Sequence, residues 1–226
     1  MSFSLSQCLT AFFVTLISII IFAKLATLVK LVDQPEARKR HKGEIPLVGG
    51  LAIFTALLIG TIIWGDSYAT VISANGKDTL DVFIIAGALL VATGAIDDRF
   101  KLGVFVRIIS EVAVALIIIE GLDLNLRNLG SLIGPTPIEL PVSLAYPFTI
   151  VAIVGLINAF NMLDGLDGLL ASLVIFTLLN FHIFTHTAPG IVTIFIGASL
   201  LAFLISNLSI SPLVPHTFLG DAGSRL

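Results

Sequence analysis

The chain has 226 residues, of which 57% are hydrophobic and only 12% charged, and its mean hydropathy is +1.07. Soluble domains average about 25% charged and about 45–50% apolar residues, so a single water-soluble core is excluded and lipid must be the solvent for most of this surface. The net charge of −3 selects no partner, and one cysteine, Cys8, excludes an internal disulfide.

A membrane-crossing helix needs about 20 mostly apolar residues. Seven runs qualify, over residues 5–29, 47–65, 80–96, 104–120, 143–160, 168–186 and 188–206. They predict an all-α, polytopic helix bundle that forms one integral membrane domain over 1–226. The first run has no basic residue before it, the wrong order for a cleaved signal peptide, so it is kept as a helix. Of the twelve Lys and Arg, ten fall on one side of such a bundle and only Lys77 and Arg127 on the other. The positive-inside rule then puts the N-terminus outside and residues 28–46, 97–103, 161–167 and 207–226 in the cytoplasm.

Every unusual polar cluster lands on that side. The loop after the first run, PEARKRHKGEIPLVGG, holds Arg38, Lys39, Arg40, His41 and Lys42. It reads first as an anchor, and it could also attract anionic head groups or nucleotides. Gly49-Gly50 would admit a close backbone approach. Asp97-Asp98 ends the third run. Adjacent helical residues point about 100° apart, so the two should play different parts, against the plainer reading of a solvated helix end balanced by Arg99. In the fourth run Arg107 and Glu111 have the i,i+4 spacing of an ion pair, and Arg107 could instead snorkel towards lipid phosphates.

The fifth run ends in NAFNMLDGLDGLL. Asn158, Asn161, Asp164 and Asp167 recur every third residue, which on a helix forms a slanted strip. Carboxylates at such depth usually face a cavity or a partner; the plainer alternative is that the amides cap the helix and the acids sit in water. After the seventh run, FLGDAGS places Asp221 between Gly220 and Gly223, offering a hard oxygen ligand and free N–H groups that suit Mg²⁺ with phosphate. His182 and His186 have metal-pair spacing but lie at the opposite end, and are read as structural. Asn207-Leu208-Ser209 is a glycosylation triplet by pattern only.

The order DD, NxxNxxDGxDG and FxGDxGS, with LVDQPEARKRHKGEIPLVGGL before it, resembles the polyprenyl-phosphate N-acetylhexosamine-1-phosphate transferases, and within them the bacterial undecaprenyl-phosphate GlcNAc-1-phosphate transferases. The resemblance runs along essentially the whole chain. It implies a Mg²⁺-dependent enzyme, with Mn²⁺ as an alternative ion, in the bacterial inner membrane with its site facing the cytoplasm. The reaction implied is transfer of GlcNAc-1-phosphate from UDP-GlcNAc to undecaprenyl phosphate, giving undecaprenyl-diphospho-GlcNAc and UMP. That step initiates O-antigen and enterobacterial common antigen synthesis on a lipid carrier.

By the same resemblance Asn161 and Asp221 are the metal ligands. Asp97, Asp98, Asp164 and Asp167 are catalytic, and Lys42, Arg107, Asn158, Phe218 and Gly220 bind substrate, Phe218 by stacking on uracil. Family members continue with further helices and a His-containing loop, and usually have a smaller or apolar residue where Arg225 stands. The chain is thus expected to be the N-terminal part of a longer family fold. The rival readings are a non-catalytic remnant that binds nucleotide or lipid, and a transporter using intramembrane acids. Membrane lipid is an expected partner, nucleic acid is not, and homo-oligomerisation is left open.

Overall fold

The computed structural model describes residues 2–33, 43–72, 79–131, 134–186 and 190–226. Seven long helices form where the apolar runs predict them: α1 (Ser2–Val29), α2 (Gly49–Ile72), α3 (Thr79–Phe100), α4 (Val104–Leu122), α5 (Val142–Leu163), α6 (Leu169–Thr185) and α7 (Ile191–Asn207). Three of them, as Leu5–Val29, Thr79–Phe100 and Val142–Leu163, are long and apolar enough to cross a membrane by length and composition, and shorter apolar stretches of α2, α6 and α7 accompany them. The chain is an all-α polytopic membrane protein.

Two further elements were not expected. A two-residue antiparallel ribbon pairs β1 (Val32–Asp33) with β2 (Ile45–Pro46), and a single helical turn, α8 (Asp221–Ser224), forms inside the third motif. The apolar periodicity gave no warning of either, because each is too short to bury a face of its own. The basic residues 38–42, Lys42 included, lie outside the described residues.

The helices divide their faces as a bilayer requires. On α1, Leu5, Leu9, Phe13, Ile17, Ile21 and Leu25 are exposed at four-residue intervals, with Leu28 continuing the stripe, whereas Ala11, Thr15, Ile19 and Ala26 are buried. Lipid is as apolar as leucine, so helices associate there through close packing of small side chains rather than by hiding leucines. Accordingly α1 packs on α2 and α7 through alanines, and Gly60 of α2 admits the ring of Phe195 from α7.

The same device seats the third motif. Phe218 and Leu219 run beside the start of α2: Phe218 N–H donates to Pro46 O at 2.9 Å, and Gly49 and Gly50 N–H donate to Phe218 O and Leu219 O, each at 3.0 Å. Turn α8 then lies between α2 and α3, where a Cβ on Gly50 would come within 2.2 Å of Gly223 N and one on Gly94 within 2.5 Å of Ala222. Backbone meets backbone here, so neither neighbour can give way. Substituting Gly94→Ala should lower the thermal unfolding midpoint in detergent, at a cost of about 1–3 kcal/mol typical of overpacking. Gly155→Ala, on an open face of α5 with nothing within 4 Å, should leave the midpoint unchanged or raise it slightly.

Candidate active site at one end of the bundle

The C-terminal ends of α3, α5 and α7 and the start of α2 meet at one end of the bundle. They surround a cavity of about 590 Å³ whose lining includes Asp98, Asn161, Asp164, Asp167, Asn207, Phe218, Gly220 and Asp221. The three separate polar motifs of the sequence thus converge on a single space.

Each side chain is placed by local backbone. Asp98 accepts hydrogen bonds from the N–H groups of Asp221 (3.0 Å) and Ala222 (3.3 Å), which ties the end of α3 to α8. Gly220, at φ 72°, has a conformation that L side chains rarely adopt, and a Cβ there would lie 2.7 Å from Asp98 Oδ2. Helix α5 continues through Leu163, so Asn161 is still helical; its Nδ2 donates to Asp221 Oδ1 at 2.9 Å and to Ser224 Oγ at 2.8 Å. Asp164 is the residue at which α5 ends, and Gly168, at φ 74°, starts α6.

Burial, together with the charges of Asp221 and Asp167, pushes the Asp164 carboxyl up to about 6. The Asp221 carboxyl is also raised, first by burial and then by Asp97 close by. Acids that raise one another in this way form a site short of positive charge.

Three predicted site residues stand elsewhere. Asp97 does not line the cavity: it is 5% exposed, accepts from Leu102 N–H at 2.7 Å, and receives the Arg225 guanidinium at 2.7 Å. Arg107 Nη1 lies 3.5 Å from the same Asp97 carboxylate, so its ion pair goes to Asp97 and not to Glu111 as its spacing suggests. Glu111, almost fully buried, instead accepts a short hydrogen bond from Asn158 Nδ2, which also donates to Val154 O. Asn158 therefore ties α4 to α5, and the slanted strip reaches the cavity only from Asn161 onwards.

A model of the family described as Glycosyl transferase family 4 matches residues 80–226. The chain belongs to that family. Among curated proteins it is similar to the undecaprenyl-phosphate alpha-N-acetylglucosaminyl 1-phosphate transferase of Salmonella typhi, 34% identical over 235 residues, covering 99% of this chain and 59% of the relative. It is likewise similar to the proteins of the same name from Yersinia pestis (31% identity; 90% of this chain, 54% of the relative) and Haemophilus influenzae (33%; 93% and 58%). The chain spans somewhat over half the length of these curated relatives.

Within this glycosyl transferase family 4 chain, the fit of a divalent ion can be judged from the donors. Among the described residues no group of three or more His, Cys, Asp or Glu forms a ready metal cage. A small hard ion needs no such cage, since it keeps several waters and is bound by one or two carboxylates together with substrate phosphates. Asp221, Asp98, Asp164 and the Asn161 amide supply hard oxygens around one cavity, and the raised carboxyls would be relieved by positive charge. The residues present fit the group.

Four residues escaped the reading of the sequence. Asp33 reaches the cavity from β1, and Ser224 lines it while bonding Asn161. Asn207 is 5% exposed and holds the second and third motifs together: its Oδ1 accepts from Gly168 N–H at 2.6 Å and its Nδ2 donates to Thr217 O at 3.0 Å. An amide ending an otherwise apolar run was the signal, hidden by its glycosylation triplet. Arg225 stands out in the sequence only as a departure from the family pattern.

The raised Asp164 carboxyl has a thermodynamic consequence. The folded chain holds the proton up to about pH 6, whereas the unfolded chain releases it near 4, so between these values the folded state binds more protons and stability falls as pH rises. In EDTA, Asp164→Asn should therefore raise the unfolding midpoint over wild type at pH 7.5 and make little difference at pH 4. Circular dichroism melts at the two pH values test this; an equal shift at both would contradict it.

Proposed function

We propose that this chain carries the phosphoryl-transfer site of an undecaprenyl-phosphate GlcNAc-1-phosphate transferase. In this reading an oxygen of undecaprenyl phosphate attacks the sugar-bearing phosphorus of UDP-GlcNAc, the bond between the two phosphates breaks, and UMP leaves. The products are undecaprenyl-diphospho-GlcNAc and UMP. The observation that supports it best is the convergence of DD, NxxNxxDGxDG and FxGDxGS on one cavity at the end of an apolar bundle. There a water-soluble nucleotide and a lipid phosphate can meet. The printed names of the relatives point to the same reaction.

Both substrates are anionic, and the lining is acidic, so positive charge has to be supplied. Mg²⁺, or Mn²⁺ in its place, would offset repulsion and the charge developing on the leaving nucleotide. Asp221 and Asn161 would hold it, with Asp164 and Asp167, on the lining of the same cavity, orienting the nucleotide or the ion. Asp98, fixed by two backbone N–H groups, is the acid assigned to the lipid phosphate and its proton. Phe218 lines the cavity with its ring edge-on to His216, centroids 5.3 Å apart, leaving it to stack against uracil in this reading. Arg107 is better read as a partner of Asp97 that orders the α3–α4 corner. The excess of Lys and Arg on this side supports a bacterial inner-membrane protein whose site faces the cytoplasm.

The test uses membranes that lack an endogenous transferase and contain this chain, labelled UDP-GlcNAc and undecaprenyl phosphate. Lipid-linked sugar should form with Mg²⁺ and vanish with EDTA, and Asp221→Asn should lower its rate at least about a hundredfold, the loss typical of removing one charge-stabilising group. Near-normal turnover in Asp221→Asn would overturn the assignment.

A further inference from the structure

Among the described residues, a cation that the motif pattern does not call for is bonded to an acid of the candidate site. Arg225 is 4% exposed, and its Nη2 donates to Asp97 Oδ2 at 2.7 Å and to Asp221 Oδ2 at 3.0 Å. The remaining Asp221 oxygen, Oδ1, accepts from Asn161 at 2.9 Å. Both oxygens of the acid that would hold a divalent ion are thus already engaged by N–H donors, one of them charged. Asp97, by contrast, has further support from Leu102 N–H and from Arg107.

We propose that Arg225 is an internal counter-cation that competes with a divalent ion for Asp221, and so sets the metal affinity of this chain. Arg225 is here a positioning residue: it touches the acid and not the substrate. The inference rests on the reading of Asp221 as a metal ligand. Two acids share the one guanidinium group, so its hold on Asp221 depends on how firmly Asp97 holds it in turn. Removing the guanidinium frees Oδ2 and deletes a positive charge at hydrogen-bond distance. Removing the charge of Asp97 leaves the guanidinium to Asp221 alone. The two changes should move metal affinity in opposite directions, which a role in packing alone would not do.

The test is Mn²⁺ binding to the purified 226-residue chain in detergent, read by the loss of the free-ion electron paramagnetic resonance signal, with size exclusion and circular dichroism as checks of folding. Arg225→Met should tighten Mn²⁺ about tenfold, a charge effect of ordinary size at such separations. Arg225→Lys, which keeps the charge, should stay within about threefold of wild type, and Asp97→Asn should weaken binding about threefold or more. Weaker binding in both Arg225→Met and Asp97→Asn would overturn the proposal. Should Arg225→Met fail to fold, tighter or unchanged binding in Asp97→Asn overturns it by itself. Binding that is lost in Asp221→Asn but unmoved by Arg225→Met sinks the counter-cation and leaves the metal reading standing. If neither wild type nor Arg225→Met binds Mn²⁺, both readings fall together.

Discussion

The seat of residues 218–224 against the start of α2 and the end of α3 is the constraint on which the rest of the site depends. That segment has too few apolar side chains to fix itself by burial, and it is held by backbone instead. Hydrogen bonds to Pro46, Gly49 and Gly50 run along one flank, and Asp98 receives the N–H groups of Asp221 and Ala222 on the other. Such an approach is open only where no Cβ intervenes, which is the physical reason for glycine at 50 and 94. With the turn in place, Asp221 comes within reach of Asn161 on α5, and the first, second and third motifs are joined in one network.

The network also explains why adjacent acids fare so differently. Asp97 and Asp98 are one residue apart, and about 100° of helical rotation turns the first towards the packed interior and the second towards the cavity. A carboxylate taken out of water needs a partner with good geometry, because the desolvation penalty can exceed the Coulombic gain. Asp97 has two guanidinium groups and a backbone N–H around it, an arrangement that keeps its charge inside the protein. Asp98 accepts from two neutral backbone N–H groups and faces the open cavity, which leaves its carboxyl available to a ligand.

Much of the architecture was legible in the sequence because the bilayer imposes a length on every span. All seven apolar runs became helices, with ends displaced by a few residues except for α2, which runs on to Ile72. The membership of the cavity was partly legible. Asp98, Asn161, Asp164, Asp167, Gly220 and Asp221 were marked by polarity, glycine and spacing and Phe218 by the family resemblance, and they do line one space. Three-residue spacing could not show that Asn158 turns away to Glu111, since a slanted strip leaves the cavity within one turn. Local spacing misled at Arg107 as well: its i,i+4 neighbour Glu111 was the obvious partner on the helix surface. The structure supplies a better one in Asp97 from the preceding helix, whose proximity no pattern within α4 could reveal.

Asn207 and Arg225 show a further limit of reading by motif. Asn207 carries no charge and belongs to no acidic cluster, yet one amide satisfies both a donor in the second motif and an acceptor near the third. Buried backbone groups of that kind cost about 1–3 kcal/mol when left unpaired, so the amide acts on the site through the shape of the loops. Arg225 acts through charge. A guanidinium enclosed between two carboxylates offsets part of the repulsion that an acidic cavity generates, and it does so whether or not a substrate is present. On the proposed metal reading, the same contact that offsets the charge of Asp221 therefore opposes an incoming cation. If Asp221 holds the metal as proposed, stability of the folded site and affinity for that metal are two sides of one hydrogen bond.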